Sequence, residues 1–201
     1  MLFRSSVTFS SIPQTFTDLK LVYSTRVNTS GAPDLAIQFN GVTSNQYSWR
    51  LIHAYQSSSP SAYSGSGTTA QGLNAIEGGN SNNATTTSNT FTSSELYIPN
   101  YLSSNYKSTS LDSTPENNGT DTFMKMEAGL WSNTAAITSI TITAPSGGFV
   151  ANSSFYLYGI SSDTANQNTS GPYAFGGDII VQSGGYWYHA FLNSKIGRAH
   201  V

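Results

Sequence analysis

Gln46-Tyr47-Ser48-Trp49-Arg50-Leu51-Ile52-His53-Ala54-Tyr55 is the stretch that decides the fold class of this chain. Tyr47, Trp49, Leu51, His53 and Tyr55 fall on one side of an extended backbone, and Gln46, Ser48, Arg50, Ile52 and Ala54 on the other. A period of two with large apolar residues on one side is the signature of a half-buried β-strand. Outward from it the same period recurs. Leu19, Leu21 and Tyr23 share a face within 16–27, and Leu35, Ile37 and Phe39 share one within 34–40, which ends in the turn pair Asn40-Gly41. Further strands are expected at 6–12, 90–98, 106–111, 122–130, 136–143 and 153–160, punctuated by Asn117-Asn118-Gly119 and Ser146-Gly147-Gly148. No segment sustains a helical period. About nine strands at these spacings predict an all-β fold, an antiparallel β-sandwich of jelly-roll type.

Composition agrees. Only 9% of the 201 residues are Asp, Glu, Lys or Arg, against about 25% in an ordinary soluble domain. Ser, Thr, Asn and Gly supply the polarity instead, and with Val, Ile, Phe and Tyr they make a vocabulary of strands and turns. Net charge is −2 with no block of Lys or Arg, so nucleic acid is not an expected partner. The absence of cysteine removes disulfides, thiolate metal sites and Cys nucleophiles together. No apolar run approaches the ~20 residues of a membrane helix, so membrane insertion is not expected, and the start lacks the pattern of a signal peptide.

The expected organisation is a β-sandwich over 1–160, a polar linker over 161–172 and a truncated second module over 173–195. That last piece reads as one hairpin, Gly176-Gly177-Asp178-Ile179-Ile180-Val181 against Tyr186-Trp187-Tyr188-His189-Ala190-Phe191, around Gly184-Gly185. Residues 196–201, Ile-Gly-Arg-Ala-His-Val, match the translation of a common sequencing-library adapter and are set aside, His200 with them. Within the first domain, 56–89 is rich in Gly, Ser, Asn and Thr. It is expected to be a protruding excursion with only Leu73–Ile76 packed down.

Five pieces in order resemble a known family. Val7-Thr8-Phe9-Ser10-Ser11-Ile12-Pro13-Gln14-Thr15-Phe16-Thr17-Asp18-Leu19 is similar to the opening of tailed-bacteriophage structural proteins common in marine viral sequences. Glu95-Leu96-Tyr97-Ile98-Pro99-Asn100-Tyr101 and Leu130-Trp131-Ser132-Asn133-Thr134 resemble that family's middle. Ile137-Thr138-Ser139-Ile140-Thr141-Ile142 and Phe155-Tyr156-Leu157-Tyr158-Gly159-Ile160 resemble its final strands. The hairpin at 176–191 resembles the start of glycine-rich tail-fibre modules. In longer relatives a short strand precedes the position of Val7, so the resemblance implies sequence before Met1. It further implies a non-enzymatic virion component, a tail fibre or capsid decoration. Its expected partners are other virion proteins, further copies of the chain and a host-surface glycan, and its expected location is the phage particle, with assembly in the host cytoplasm. It carries no catalytic residues. A carbohydrate-binding module is the second expectation, and a phage polysaccharide depolymerase the third.

Site chemistry is sparse. With so many serines, a triad of Ser, His53 and Asp18 or Asp34 has no distinguishing pattern, and Gly65-Ser66-Gly67 has no strand ahead of it. His53 is expected to be a packed face residue. Glycosidase chemistry needs two carboxylates across a cleft, and nothing pairs any two of Glu77, Glu95, Glu116 and Glu127. Lys125 and Glu127 alternate as an exposed strand face would. Asp112, Glu116 and Asp121 surround a turn but lack a regular ligand pattern, so no metal or cofactor is expected. Tyr55, Tyr63, Tyr97 and Tyr101 lie next to loops and are the candidate contacts to a glycan or another subunit. The expected core brings together Trp49, Leu51, Leu19, Leu21, Ile140, Ile142, Phe155 and Leu157.

Overall fold

The computed structural model describes residues 4–31, 33–55, 60–66, 73–119 and 122–161, and two further strands, Ile179–Ser183 and Tyr186–Ala190. Those described residues contain no helix. The chain divides into two units, Met1–Ser161 and Ser162–Val201. The linker and tail, 162–178 and 191–201, lie outside the described residues, so the expected adapter segment does too. In the second unit, β12 (Ile179–Ser183) and β13 (Tyr186–Ala190) pair as an antiparallel hairpin.

The first unit is a sandwich of two antiparallel sheets. Its strands are β1 (Ser6–Phe9), β2 (Asp18–Thr25), β3 (Asp34–Phe39), β4 (Tyr47–Tyr55), β5 (Ser61–Ser66), β6 (Ile76–Asn80), β7 (Thr92–Ile98), β8 (Lys107–Thr114), β9 (Phe123–Trp131), β10 (Ile140–Thr143) and β11 (Ser154–Ile160). One sheet runs β1-β10-β3-β6 and the other β11-β2-β7-β8-β9-β4-β5. Alternation dictates which side chains meet between them. Leu19, Leu21 and Tyr23 of β2, Leu96 and Ile98 of β7, and Trp131 of β9 face Leu35, Ile37 and Phe39 of β3 and Ile140 and Ile142 of β10. Asn40 (φ 53°) and Gly41 (φ 65°) make the tight turn after β3, closed by Val42 N–H donating to Phe39 O at 3.0 Å. Two consecutive left-handed residues are what Asn-Gly supplies at little steric cost.

The core differs from expectation on β4, where Leu51 is buried but, like Trp49, stands apart from the main cluster. Leu19, Leu21, Ile140 and Ile142 are fully buried, and Phe155 and Leu157 pack against them. Trp49, however, is only half-buried and lies outside that cluster. Its indole covers Gly65 of β5, where an added Cβ would sit 2.5 Å from the ring. β4 and β5 form one flank of the larger sheet, so an inward-facing residue there meets a neighbouring strand rather than the core. Trp131 is the buried tryptophan, with Phe39 at 5.5 Å between ring centroids.

The excursion expected over 56–89 is also corrected for 60–66 and 73–89, while 56–59 and 67–72 lie outside the described residues. β5 pairs with β4 from Ser48↔Ser66 to His53↔Ser61, and β6 is an edge strand of the smaller sheet with every residue buried. Ser81, Asn82 and Asn83 are buried beyond it. β5 and β6 are held because their backbone groups pair with strands whose own patterns are strong, which overrides their weak local propensity. Gly79 shows the fit: at φ +73° it passes Ser113 so closely that a Cβ would meet the hydroxyl oxygen at 2.4 Å.

Candidate functional site

β9 carries the feature that distinguishes this sandwich. By polarity alone, Phe123-Met124-Lys125-Met126-Glu127 should turn Lys125 and Glu127 to water. The register does the opposite. Lys125 and Glu127 point between the sheets, and Met124 and Met126 are 54% and 53% exposed on the outer face. Lys125 and Glu127 are therefore not the solvated face expected from sequence.

The inward groups satisfy one another across strands. Lys125 Nζ lies 2.6 Å from Asp34 Oδ1 on β3 and 2.8 Å from Glu77 Oε2 on β6. Exposure of the Lys125 side chain is 3%, with 16% for Asp34 and 2% for Glu77. Glu127 Oε1 accepts the Glu77 backbone N–H at 3.2 Å, and its other oxygen is buried with no hydrogen-bond partner. Burial, against the pull of Lys125, pushes the Glu127 carboxyl well above the usual carboxylate range. Burial opposes the charge on Lys125 as well, but Asp34 and Glu77 outweigh it and hold its ammonium above the ordinary lysine value. Three carboxyls thus share one lysine in a dry interior, an arrangement tolerated only because the geometry is close and one carboxyl favours its neutral form.

The outer face of the larger sheet reads across its strands in rows. One row runs Tyr158, Lys20, Tyr97, Ser110, Ala128, Arg50 and Ser64. The next runs Tyr156, Val22, Glu95, Asp112, Met126, Ile52 and Ala62. At one end Tyr156 and Tyr158 are exposed and stacked, with ring centroids 6.5 Å apart. Beside them Lys20 bridges Glu95 at 2.8 Å. At the other end Ile52, Met124, Met126, Ala62 and Ala128 leave an apolar surface, with a shallow depression of about 550 Å³ between β4, β5 and β9.

The four candidate tyrosines separate. Tyr97 is on the outer face, and its hydroxyl donates to Asp18 Oδ2 at 2.6 Å, a bond that raises its pKa. Asp18 Oδ1 in turn accepts the Asn100 N–H at 2.8 Å. Tyr63 is exposed on β5, edge-on to His53 at 5.0 Å, and Tyr55 stacks on Phe123 at 4.4 Å. His53 sits 6.0 Å from Phe123, so these four rings form one aromatic cluster at the end of β4. Tyr101 is a correction: it is fully buried, its hydroxyl donating to Pro13 O and accepting Phe16 N–H at 3.4 Å, so it closes the core rather than facing a partner. Its position beside the turn at Asn100 suggested a loop, but the chain turns inward there.

Tyr156 and Tyr158 were not singled out from sequence. Their signal was the alternation Phe155-Tyr156-Leu157-Tyr158, in which the residues opposite the core pair must face outward. Of the carboxylates, Glu77 and Glu127 come together, but inside the sandwich rather than across a cleft. Glu116 holds the Asn118 N–H at 2.7 Å and the Thr122 hydroxyl at 3.0 Å, bonds that lower its pKa. Among the described residues no cluster of His, Asp and Glu is arranged to hold a metal ion.

No family model, no curated protein and no solved structure matches this chain.

Proposed function

We propose that this chain is a non-enzymatic virion structural component, a tail-fibre or capsid-decoration protein that works by assembly through the outer face of its larger sheet. The observation that carries the reading is the inversion of β9, which leaves Met124 and Met126 in water beside Ile52. Exposed methionine and isoleucine desolvate at little cost, and Met and Arg, here Met126 with Arg50 in the neighbouring row, are enriched at subunit contacts. Strand order supports the jelly-roll part of the reading. With β11 and the β8–β9 hairpin set aside, the other eight strands, renumbered in chain order, give sheets 1-8-3-6 and 2-7-4-5. A jelly roll of eight strands in two sheets accommodates that order, with the hairpin bearing the methionines inserted beside strand seven.

Sedimentation velocity of the full chain over a range of concentrations tests the assembly. Concentration-dependent oligomers are expected, reduced to monomer by Met126→Lys with the melting temperature unchanged. A monomer at every concentration overturns the reading.

A second reading, a carbohydrate-binding module, is favoured by a different observation. Tyr156, Tyr158 and Tyr97 are exposed on the same outer surface, beside the hydrogen-bonding groups of Lys20, Glu95 and Asp18. Planar aromatic surface flanked by such groups suits a pyranose ring. Glycan-array binding that is lost in Tyr158→Ala supports it, and an array without signal counts against it.

A further inference from the structure

We propose that Lys125 and Asp34 form an intramolecular amide cross-link inside the sandwich, with Glu77 as the proton relay. The inference stands on the buried cluster and is independent of the assembly reading.

Three observations converge. The nucleophile is in place: Nζ lies 2.6 Å from Asp34 Oδ1, which puts the carboxyl carbon one bond beyond a hydrogen-bonded contact. Reacting atoms held about 3–3.5 Å apart on rigid strands have effective concentrations far above anything in free solution. The relay is in place: Glu77 Oε2 lies 2.8 Å from the same nitrogen, in contact with Lys125 and 2% exposed. The site is shielded as well, since the Lys125 and Glu77 side chains are 3% and 2% exposed, which keeps bulk water away from the reacting carboxyl.

Glu127 adds the fourth wall. It receives the Glu77 backbone N–H and presents a buried oxygen without a partner, so the cluster already carries more carboxyl than one lysine neutralises.

The chemistry balances without an external reagent. In the resting pair Lys125 is an ammonium and Asp34 a carboxylate. Glu77 accepts one proton from Nζ and returns it to an Asp34 oxygen, giving amine and acid. The nitrogen lone pair then attacks the carboxyl carbon and the new C–N bond forms. A second proton passes from nitrogen, again through Glu77, to the departing oxygen. The C–O bond breaks and water leaves. One hydrogen stays on the amide nitrogen, Glu77 ends as it began, and the ammonium and carboxylate charges disappear together. The bond would tie β3 of the smaller sheet to β9 of the larger across 91 positions of sequence, in a chain with no cysteine to do so.

The test is the intact mass of the purified full chain under denaturing conditions. A mass lower by one water than the sequence mass is expected, with tandem mass spectrometry of a digest placing a branched peptide at Asp34 and Lys125. Glu77→Gln should restore the full sequence mass while far-UV circular dichroism stays that of the folded β-protein. Asp34→Ala, at the most exposed member of the trio, should do the same and serves if Glu77→Gln does not fold. A folded wild-type chain at full sequence mass overturns the proposal, as does a lost water mapped to other residues. A cross-link that persists in folded Glu77→Gln overturns the relay role.

Discussion

Replacing each tryptophan of the sandwich in turn separates the core as built from the core as patterned. Trp131 has no exposed surface, packs at a tilt against Phe39 and lies beneath Lys107, whose Nζ is 5.9 Å from the ring centroid. Truncating a buried Trp to Ala removes a transfer contribution and leaves a cavity, together about 3–5 kcal/mol. One term returns: the Trp131 indole N–H is buried with no acceptor, and releasing it recovers about 1 kcal/mol or more. The net expectation for Trp131→Ala is therefore a loss of roughly 3 kcal/mol, at the lower end of that range. Trp49 is half-buried over Gly65, so less surface returns to water and the space it leaves is open on one side. Trp49→Ala should cost clearly less, about 1–2 kcal/mol. Urea titration followed by far-UV circular dichroism measures both without relying on the mutated fluorophore. For a domain of this size the Trp131 change corresponds to a melting shift of roughly 6–12 °C. A Trp49→Ala loss equal to or larger than that of Trp131→Ala would refute the reasoning, because it would put the core anchor on β4.

Glu127 supplies a pH prediction. Its folded pKa is raised, chiefly by burial, above the ordinary 4.5. The stability tied to its proton is present below about that value and is lost as pH rises through the folded pKa. Glu127→Gln cannot titrate, so its melting temperature relative to wild type should rise as pH is raised above 4.5; a difference that stays constant as pH rises contradicts the assignment. Gly79→Ala should lose about 2 kcal/mol or more, since it strains a positive φ and drives a methyl into Ser113, whose hydroxyl is already bonded to Ser94 at 2.8 Å. Partial recovery in Gly79→Ala with Ser113→Gly checks that the clash, and not the φ alone, is responsible; equilibrium unfolding of the single and double variants reads it.

Period-two alternation made β2, β3, β4, β7, β10 and β11 legible, because each has apolar side chains on the face it buries. β5 and β6 were not legible for a physical reason. Ser61-Ala62-Tyr63-Ser64-Gly65-Ser66 and Ile76-Glu77-Gly78-Gly79-Asn80 have little β-propensity of their own and become strands through partners distant in sequence. In β9 the alternation was visible but its sense was not. Whether Lys125 and Glu127 face water depends on Asp34 and Glu77 arriving from two other strands, and no local pattern records that. Of the candidate tyrosines, Tyr97 and Tyr63 are exposed, while Tyr101 is drawn into the core by its hydroxyl's bonds to Pro13 and Phe16. Tyr156 and Tyr158 were readable as outward residues, yet proximity to loops was the wrong guide to them.

Methionine oxidation reads out whether the outer face around β9 is the surface through which the chain assembles. Met124 and Met126 are both more than half exposed in the single chain, and exposed thioethers oxidise readily to sulfoxide. Peroxide footprinting read by mass spectrometry should show both residues oxidised at dilute concentration and protected at concentrations where the chain assembles. Assembly without any change in their oxidation rates would contradict the account, because the subunits would then be meeting through another face.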